Sequence, residues 1–213
     1  MPVSLKGQTA MIVGASSGMG RAVVAQLVTE GVRVMAAARR EQRLEVLQHA
    51  LSAQGLTIDI CPADITQRSQ VEQLINTTAR QFGRIDILVY AAGTNIPDRS
   101  LEVLTPETWE MMLQTNLTGA FLCTKSVLPI MRKQKAGLIV YLSTGAVQMP
   151  DVSGVAYQAS KHGLSGLAHG TRVEEKENGI RTTVIFPGLC DTAMNLQRPT
   201  RTPPVRTAKA LQP

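Results

Sequence analysis

Aromatic side chains make up only 3% of the 213 residues: one Trp, three Tyr and three Phe. So few rings offer no stacking platform, which argues against a single-stranded nucleic-acid groove. Cysteine is equally scarce. Cys61, Cys123 and Cys190 are odd in number, far apart and without a Cys-x-x-Cys pair, so neither a disulfide framework nor a zinc site is indicated. That usage fits a reducing cytoplasm, the expected compartment, and no metal is expected. No uninterrupted apolar run approaches the ~18 residues of a membrane span. The N-terminus has one early lysine and no long apolar stretch, so it reads as mature sequence entering a strand. Seventeen glycines without a period of three exclude collagen. No internal repeat is evident.

What is present is an apolar fraction of 44%, which excludes a disordered chain and is enough for one domain with a sizeable core. The net charge is +6, from 22 Lys and Arg against 16 Asp and Glu. Its visible clusters are Arg39, Arg40 and Arg43, then Arg198, Arg201, Arg206 and Lys209. Solvated surface charge explains them, and no nucleic-acid or membrane partner is expected.

Apolar runs alternate with amphipathic stretches. Strands are expected at 9–13, 33–38, 57–61, 87–90, 138–142 and 182–186. Helices are expected at 18–29, 41–54, 67–82, 106–133 and 154–176, the fourth started by Thr105 as N-cap and Pro106 in its first turn. Continuously apolar strands joined by helices imply an α/β fold, a parallel sheet covered on both faces. Right-handed crossovers make it a single doubly wound, Rossmann-like domain over residues 1–197. Residues 198–213 read as a basic, proline-rich tail.

The first strand runs into Gly14-Ala15-Ser16-Ser17-Gly18-Met19-Gly20. Glycines there permit a tight turn and a close approach of backbone to a pyrophosphate, while the next helix aims its N-terminal amides at the anion. Gly14, Ser16, Ser17, Gly18, Met19 and Gly20 are therefore expected cofactor contacts. The second strand ends Ala36-Ala37-Ala38-Arg39-Arg40, with no Asp or Glu between Glu30 and Glu41. A carboxylate there would bind the 2′-hydroxyl of NAD and repel a 2′-phosphate. Arg39, with Arg40, is placed to pair with that phosphate through a planar fork, so NADP(H) is expected over NAD(H).

Tyr157 and Lys161 are spaced i,i+4 in a helical stretch, which puts them on one face. An ammonium beside a phenol stabilises the phenolate and brings its pKa toward working pH. A surface pair has the same spacing, so the combination matters. The glycine turn, Asp64, Ala91-Ala92-Gly93, Asn116, Ser143-Thr144, Tyr157, Lys161 and Pro187-Gly188 occur in one order. The sequence, over residues 5 to about 197, resembles the short-chain dehydrogenase/reductase family.

The resemblance implies hydride transfer between the nicotinamide of NADP(H) and a carbonyl or alcohol carbon. It implies that Tyr157 is the general acid/base and that Lys161 lowers its pKa and binds the ribose. It implies that Asn116 holds a water in a proton relay, that Asp64 and Ile65 lie at the adenine, and that Thr192 touches the nicotinamide or diphosphate. Ala91, Ala92, Gly93, Pro187 and Gly188 complete the implied cofactor set, and a homodimer or homotetramer is implied. A hydroxyl catalyst thirteen residues before the tyrosine falls on Thr144, with Ser143 the adjacent alternative. Tyr90-Ala91-Ala92-Gly93 stands where the family commonly has Asn-Asn-Ala-Gly. The family generally continues further at its C-terminus, so the chain reads as either truncated or a shortened member. Residues 96–101, 146–154 and 192–204 are expected to build the substrate pocket, which, with few aromatics, suggests a small, mostly apolar substrate. A non-catalytic dinucleotide-binding member of the same fold is the alternative.

Overall fold

The computed structural model describes residues 4–194. The tail at 198–213 and most of the 192–204 segment lie outside the described residues. β1 (Thr9–Val13), α1 (Gly18–Thr29), β2 (Arg33–Ala38), α2 (Glu41–Ser52), β3 (Asp59–Pro62) and α3 (Arg68–Phe82) form the first half. β4 (Ile87–Tyr90), α4 (Pro106–Leu113), α5 (Gly119–Gln134), β5 (Gly137–Leu142), α6 (Val155–Glu174) and β6 (Ile180–Ile185) form the second. All neighbouring strands are parallel, in the order β3-β2-β1-β4-β5-β6. This is the expected doubly wound sheet. Its order reverses between β1 and β4, and a ligand crevice opens at the carboxyl ends of the strands at such a point.

Side-chain alternation along the strands divides the core in two. Met11, Val13, Met35, Ala37, Leu88 and Tyr90 pack against α3, α5 and α6. Ala10, Ile12, Val34, Ala36, Ile87 and Val89 pack against α1 and α2. Each fully buried aliphatic side chain contributes about 1.5–3 kcal/mol of transfer free energy, so the central strands are the rigid part of the scaffold. Among the described residues no helix is long and apolar enough to cross a membrane.

Two expectations are corrected. The third strand starts later than position 57 and runs through Pro62, which pairs with Ala38. β3 is an edge strand, where a proline's missing donor costs no ladder bond. The helix expected at 106–133 is not continuous. α4 begins as anticipated, with the Thr105 side chain accepting from Thr108 N. A π-helical turn, Gln114–Thr118, then separates it from α5. The Gly119 amide donates to the Gln114 carbonyl, five residues back. The buried Tyr90 hydroxyl donates to the Thr115 carbonyl at 2.5 Å. A Cβ at Gly119 would overlap the Ile65 side chain and the Tyr90 hydroxyl, so only glycine lets the widened turn sit this close to β4. Buried residues keep helical spacing through the turn, at Met112, Asn116, Ala120 and Cys123, so the hydrophobic pattern carries no trace of it.

Candidate active site

At the end of β1 the chain turns through Gly14, whose φ is +88°. A Cβ there would lie 2.5 Å from the Ala92 amide nitrogen, so backbone packs on backbone and Ala91-Ala92-Gly93 forms the opposite wall. The Ser17 N-cap makes no side-chain bond to α1, which leaves the first amides of that helix facing the crevice. The cleft measures about 790 Å³ and is lined by Gly14, Ser16, Ser17, Gly18, Met19 and Gly20 on one side. This is a cradle a dinucleotide fits: bare backbone at the glycines, free helix amides, and hydroxyls within reach of both.

One end of that cleft is cationic. Arg39, Arg40 and Arg43 all line it. Arg40 donates to Ser16 Oγ (3.2 Å) and Ser17 Oγ (3.4 Å), which aims its guanidinium over the glycine turn. Burial, then Arg43 and Arg39, push the Arg40 pKa down, so an anion at this end would relieve crowded positive charge. Asp64 and Ile65 also line the cleft. The Asp64 carboxylate is taken up locally, accepting from Thr66 N (3.0 Å) and Thr66 Oγ1 (2.8 Å). Arg39, with Arg40, stood out as the phosphate partner in the sequence, and Arg43 had read as surface charge. The structure brings all three together, with Arg40 the one held by the turn hydroxyls.

Tyr157 and Lys161 lie one turn apart on α6. Lys161 is buried and donates to the Leu142 carbonyl at the end of β5 (2.8 Å). Its Nζ is 5.8 Å from the centre of the Tyr157 ring. Burial pushes the Lys161 ammonium down to about 8. Gly93 is what makes room for it, since a Cβ there would come within 3.2 Å of Lys161 Nζ.

Asn116 sits in the π-turn and is fully buried. Its Oδ1 accepts from Thr94 N (2.7 Å), and its Nδ2 donates to Thr94 O (3.0 Å) and Ser160 Oγ (3.0 Å). The side chain thus ties the loop after β4 to α6 between Tyr157 and Lys161. Tyr90, by holding the π-turn from below, fixes where Asn116 stands.

A smaller chamber of about 60 Å³ lies beside the cleft, and Met19, Thr192 and Met194 line both. Tyr157, Ser143, Thr144, Pro187 and Gly188 face this chamber, whereas Asn116 and Lys161 stand behind the walls. The two hydroxyl candidates differ. Ser143 is buried and donates to the Lys161 carbonyl (3.1 Å). Thr144 is half-buried, and its Oγ1 accepts from Ala146 N (3.3 Å), which leaves its hydroxyl proton free to point at a ligand.

The chamber is not the mostly apolar face expected. Asn95, Arg99 and Ser153 line it beside Tyr157. Composition reports how many polar residues a segment has, not which of them turn inward. Asn95 also donates to the Ser153 carbonyl (3.0 Å), fastening the loop after β4 to the start of α6. Residues 96–101 had been marked as pocket-forming, but nothing in the sequence set Arg99 apart from the polar residues around it.

Comparison with known proteins agrees with this geometry. The family model for short chain dehydrogenase matches residues 8–202. The chain is 34% identical over 193 residues to an uncharacterized oxidoreductase of Staphylococcus saprophyticus, spanning 90% of this chain and 77% of that protein. It is 33% identical over 192 residues to a 3-oxoacyl-acyl-carrier-protein reductase of Synechocystis sp., spanning 90% and 77%. The crystal structure of a metagenomic short-chain oxidoreductase in complex with NADP is similar at a TM-score of 0.82 and 30% identity, over 87% of this chain and 84% of that one. The chain belongs to the short-chain dehydrogenase family, oxidoreductases that use nicotinamide dinucleotide cofactors.

Proposed function

We propose that this protein is an NADP(H)-dependent carbonyl reductase or alcohol dehydrogenase acting on a small substrate. The observation that carries this is two adjacent cavities with shared walls: a cleft with three arginines and the glycine turn, and beside it a chamber lined by Tyr157 and Thr144. Ser16, Ser17 and the α1 amides would hold the pyrophosphate, and Arg40, with Arg39 and Arg43, the 2′-phosphate. Bound NADPH supplies the hydride that reduces a carbonyl carbon.

The remaining work falls to this chain. The Tyr157 hydroxyl gives its proton to the developing alkoxide, and in the oxidative direction removes the alcohol proton. The Lys161 ammonium, fixed by the Leu142 carbonyl, favours the charge that Tyr157 acquires when it does so. Thr144 donates to the substrate oxygen. Asn116 positions the wall at Thr94 and the α6 turn, and Tyr90 and Ser143 position Asn116 and Lys161 in their places. Assembly as a homodimer or homotetramer belongs to this reading, supported by exposed Met111, Phe121 and Val173 on α4, α5 and α6.

Titration with NADPH and with NADH, followed by nicotinamide fluorescence, tests the cofactor assignment. NADPH is expected to bind more tightly. Arg40→Ala is expected to weaken NADPH about tenfold or more, because a charge-assisted phosphate contact contributes ~1.5–3 kcal/mol, while NADH changes little. Equal losses for both cofactors would refute the phosphate role. The hydroxyl assignment is tested separately by steady-state turnover. Thr144→Ala is expected to lower kcat about 10- to 100-fold, as for loss of a donor to developing charge. Ser143→Ala, which leaves the substrate oxygen its donor, should cost less, and the opposite ranking would refute the choice of Thr144.

A further inference from the structure

Ser153 and Asn95 stand apart from the other residues of the chamber wall. Ser153 is 3% exposed and Asn95 6%, and both line the chamber with Tyr157 and Thr144. Both polar backbone groups of Ser153 are taken. Its amide donates to Asp151 Oδ1 (2.9 Å), and its carbonyl accepts from Asn95 Nδ2 (3.0 Å). What it brings to the wall is therefore its hydroxyl, and among the described residues that hydroxyl has no hydrogen-bond partner. Asn95 is half spent. Its Oδ1 accepts from Ile96 N (2.9 Å), and one Nδ2 hydrogen goes to Ser153. An amide side chain has two N–H donors and two acceptor lone pairs, so one of each is left over. The fold makes no use of the Ser153 hydroxyl, because the tie between the two loops runs from the Asn95 side chain to the Ser153 carbonyl. A buried hydroxyl without a partner is costly, and one that holds nothing together points to a ligand.

We infer that Ser153, with Asn95 beside it, is a subsite for a second hydroxyl on the substrate, which is a hydroxy ketone or the corresponding diol. A hydroxyl both donates and accepts. Ser153 Oγ answers either need, and Asn95 has one N–H and one lone pair to spare. Such a site discriminates by what it leaves unpaired. A substrate with a methyl in place of that hydroxyl buries Ser153 Oγ with no partner, which is worse than failing to gain a bond. The placement suits the reaction. Asn95 follows the cofactor wall at Gly93 and Thr94, and Ser153 stands four residues before Tyr157. The bond between them fixes the subsite against α6, so a hydroxyl held there turns the neighbouring carbonyl toward Tyr157 and Thr144. This inference rests on the reductase reading above for the reaction, but not for the binding.

Matched pairs that exchange a hydroxyl for a methyl test it: hydroxyacetone and butanone, 4-hydroxy-2-butanone and 2-pentanone, 5-hydroxy-2-pentanone and 2-hexanone. They place the hydroxyl at three distances from the carbonyl. Turnover is read as NADPH consumption, and binding of each ketone to the protein–NADP complex is read by saturation-transfer NMR. The wild-type protein is expected to prefer at least one hydroxy ketone over its methyl partner by about tenfold or more in kcat/KM. In Ser153→Ala that ratio should fall about fivefold or more, as for loss of a hydrogen bond between neutral groups, and the saturation transfer to the hydroxy ketone should weaken. Ser153→Thr, which keeps the hydroxyl, should retain part of both. NADPH affinity in each variant serves as the check on folding.

Methyl ketones reduced as well as hydroxy ketones in all three pairs would overturn the inference and leave the reductase reading intact. So would a preference that survives Ser153→Ala, because it would then come from the reactivity of the ketone itself. A Ser153→Ala variant that loses both members of a pair equally would also overturn it. Ser153-dependent binding of a hydroxy ketone without NADPH consumption would do the reverse, keeping the hydroxyl subsite and removing the reductase reading.

Discussion

Replacing Lys161 by methionine is expected to lower turnover at least a thousandfold and at the same time to make the cofactor-free protein more stable. Lys161 is 4% exposed and its ammonium has been pushed down to about 8 from 10.5 by burial. A basic group whose pKa falls on folding costs stability wherever it must be carried as the cation. Below pH 8 both states hold the proton, and the full penalty applies. Between about 8 and 10.5 the unfolded chain still binds a proton that the folded one has released, so stability rises with pH across that window. Above 10.5 the penalty is gone. The shift corresponds to about 3 kcal/mol at neutral pH. Methionine removes that cost but leaves the Leu142 carbonyl without its donor, which returns about 1–2 kcal/mol. A net gain of about 1–2 kcal/mol is therefore expected by chemical denaturation at pH 7. At pH 9.5 the gap should have narrowed. A variant that is less stable at pH 7, or a gap that widens with pH, would show that the buried ammonium is not a stability cost. The combination of lost activity and gained stability marks a residue kept for chemistry rather than for the fold.

The parts of this architecture that were legible in the sequence are those written in short-range patterns. β1, β2 and β4 fall where their apolar runs are, because central parallel strands are buried on both faces and tolerate little else. Gly14 could be assigned from its neighbours because the turn it makes needs a positive φ and a bare backbone. Tyr157 and Lys161 declared themselves through i,i+4 spacing. What stayed hidden depends on contacts between segments distant in the chain. The π-turn at 114–118 is held from β4 by Tyr90, 25 residues earlier in sequence. Both Ser143 and Thr144 line the chamber, but the Ser143 hydroxyl is spent on the carbonyl of Lys161, 18 residues away in sequence. Arg40 bonds to the serines of the glycine turn, 24 and 23 residues earlier in sequence. Tyr90 stands where the family commonly has an asparagine. The structure shows that its hydroxyl supplies a brace of its own, to the turn that carries Asn116.

Tyr157→Phe is expected to lower kcat about a thousandfold or more in either direction, within the range lost when a positioned acid/base is removed. The substitution isolates the hydroxyl. The ring stays, and with it the packing of α6 and the position of Lys161 Nζ 5.8 Å from its centre. Tyr157 is half-buried with one edge in the chamber, so loss of its oxygen opens no large core cavity, and the melting temperature should move little. NADPH affinity should stay within about threefold, because the arginine end and the glycine turn are untouched. The pH dependence separates a catalytic role from a structural one. If Tyr157 is the group that donates and accepts the proton, the limb of the kcat profile that it sets must vanish in the phenylalanine variant, not merely scale down. A variant that keeps the wild-type profile at reduced height would assign the proton to another group and leave Tyr157 a positioning role. A wild-type protein that binds NADPH but turns over no carbonyl or alcohol would favour the non-catalytic alternative. Intact Tyr157 in the chamber wall and Lys161 buried behind it argue against that outcome, since a binding-only protein has no need to keep an ammonium out of water.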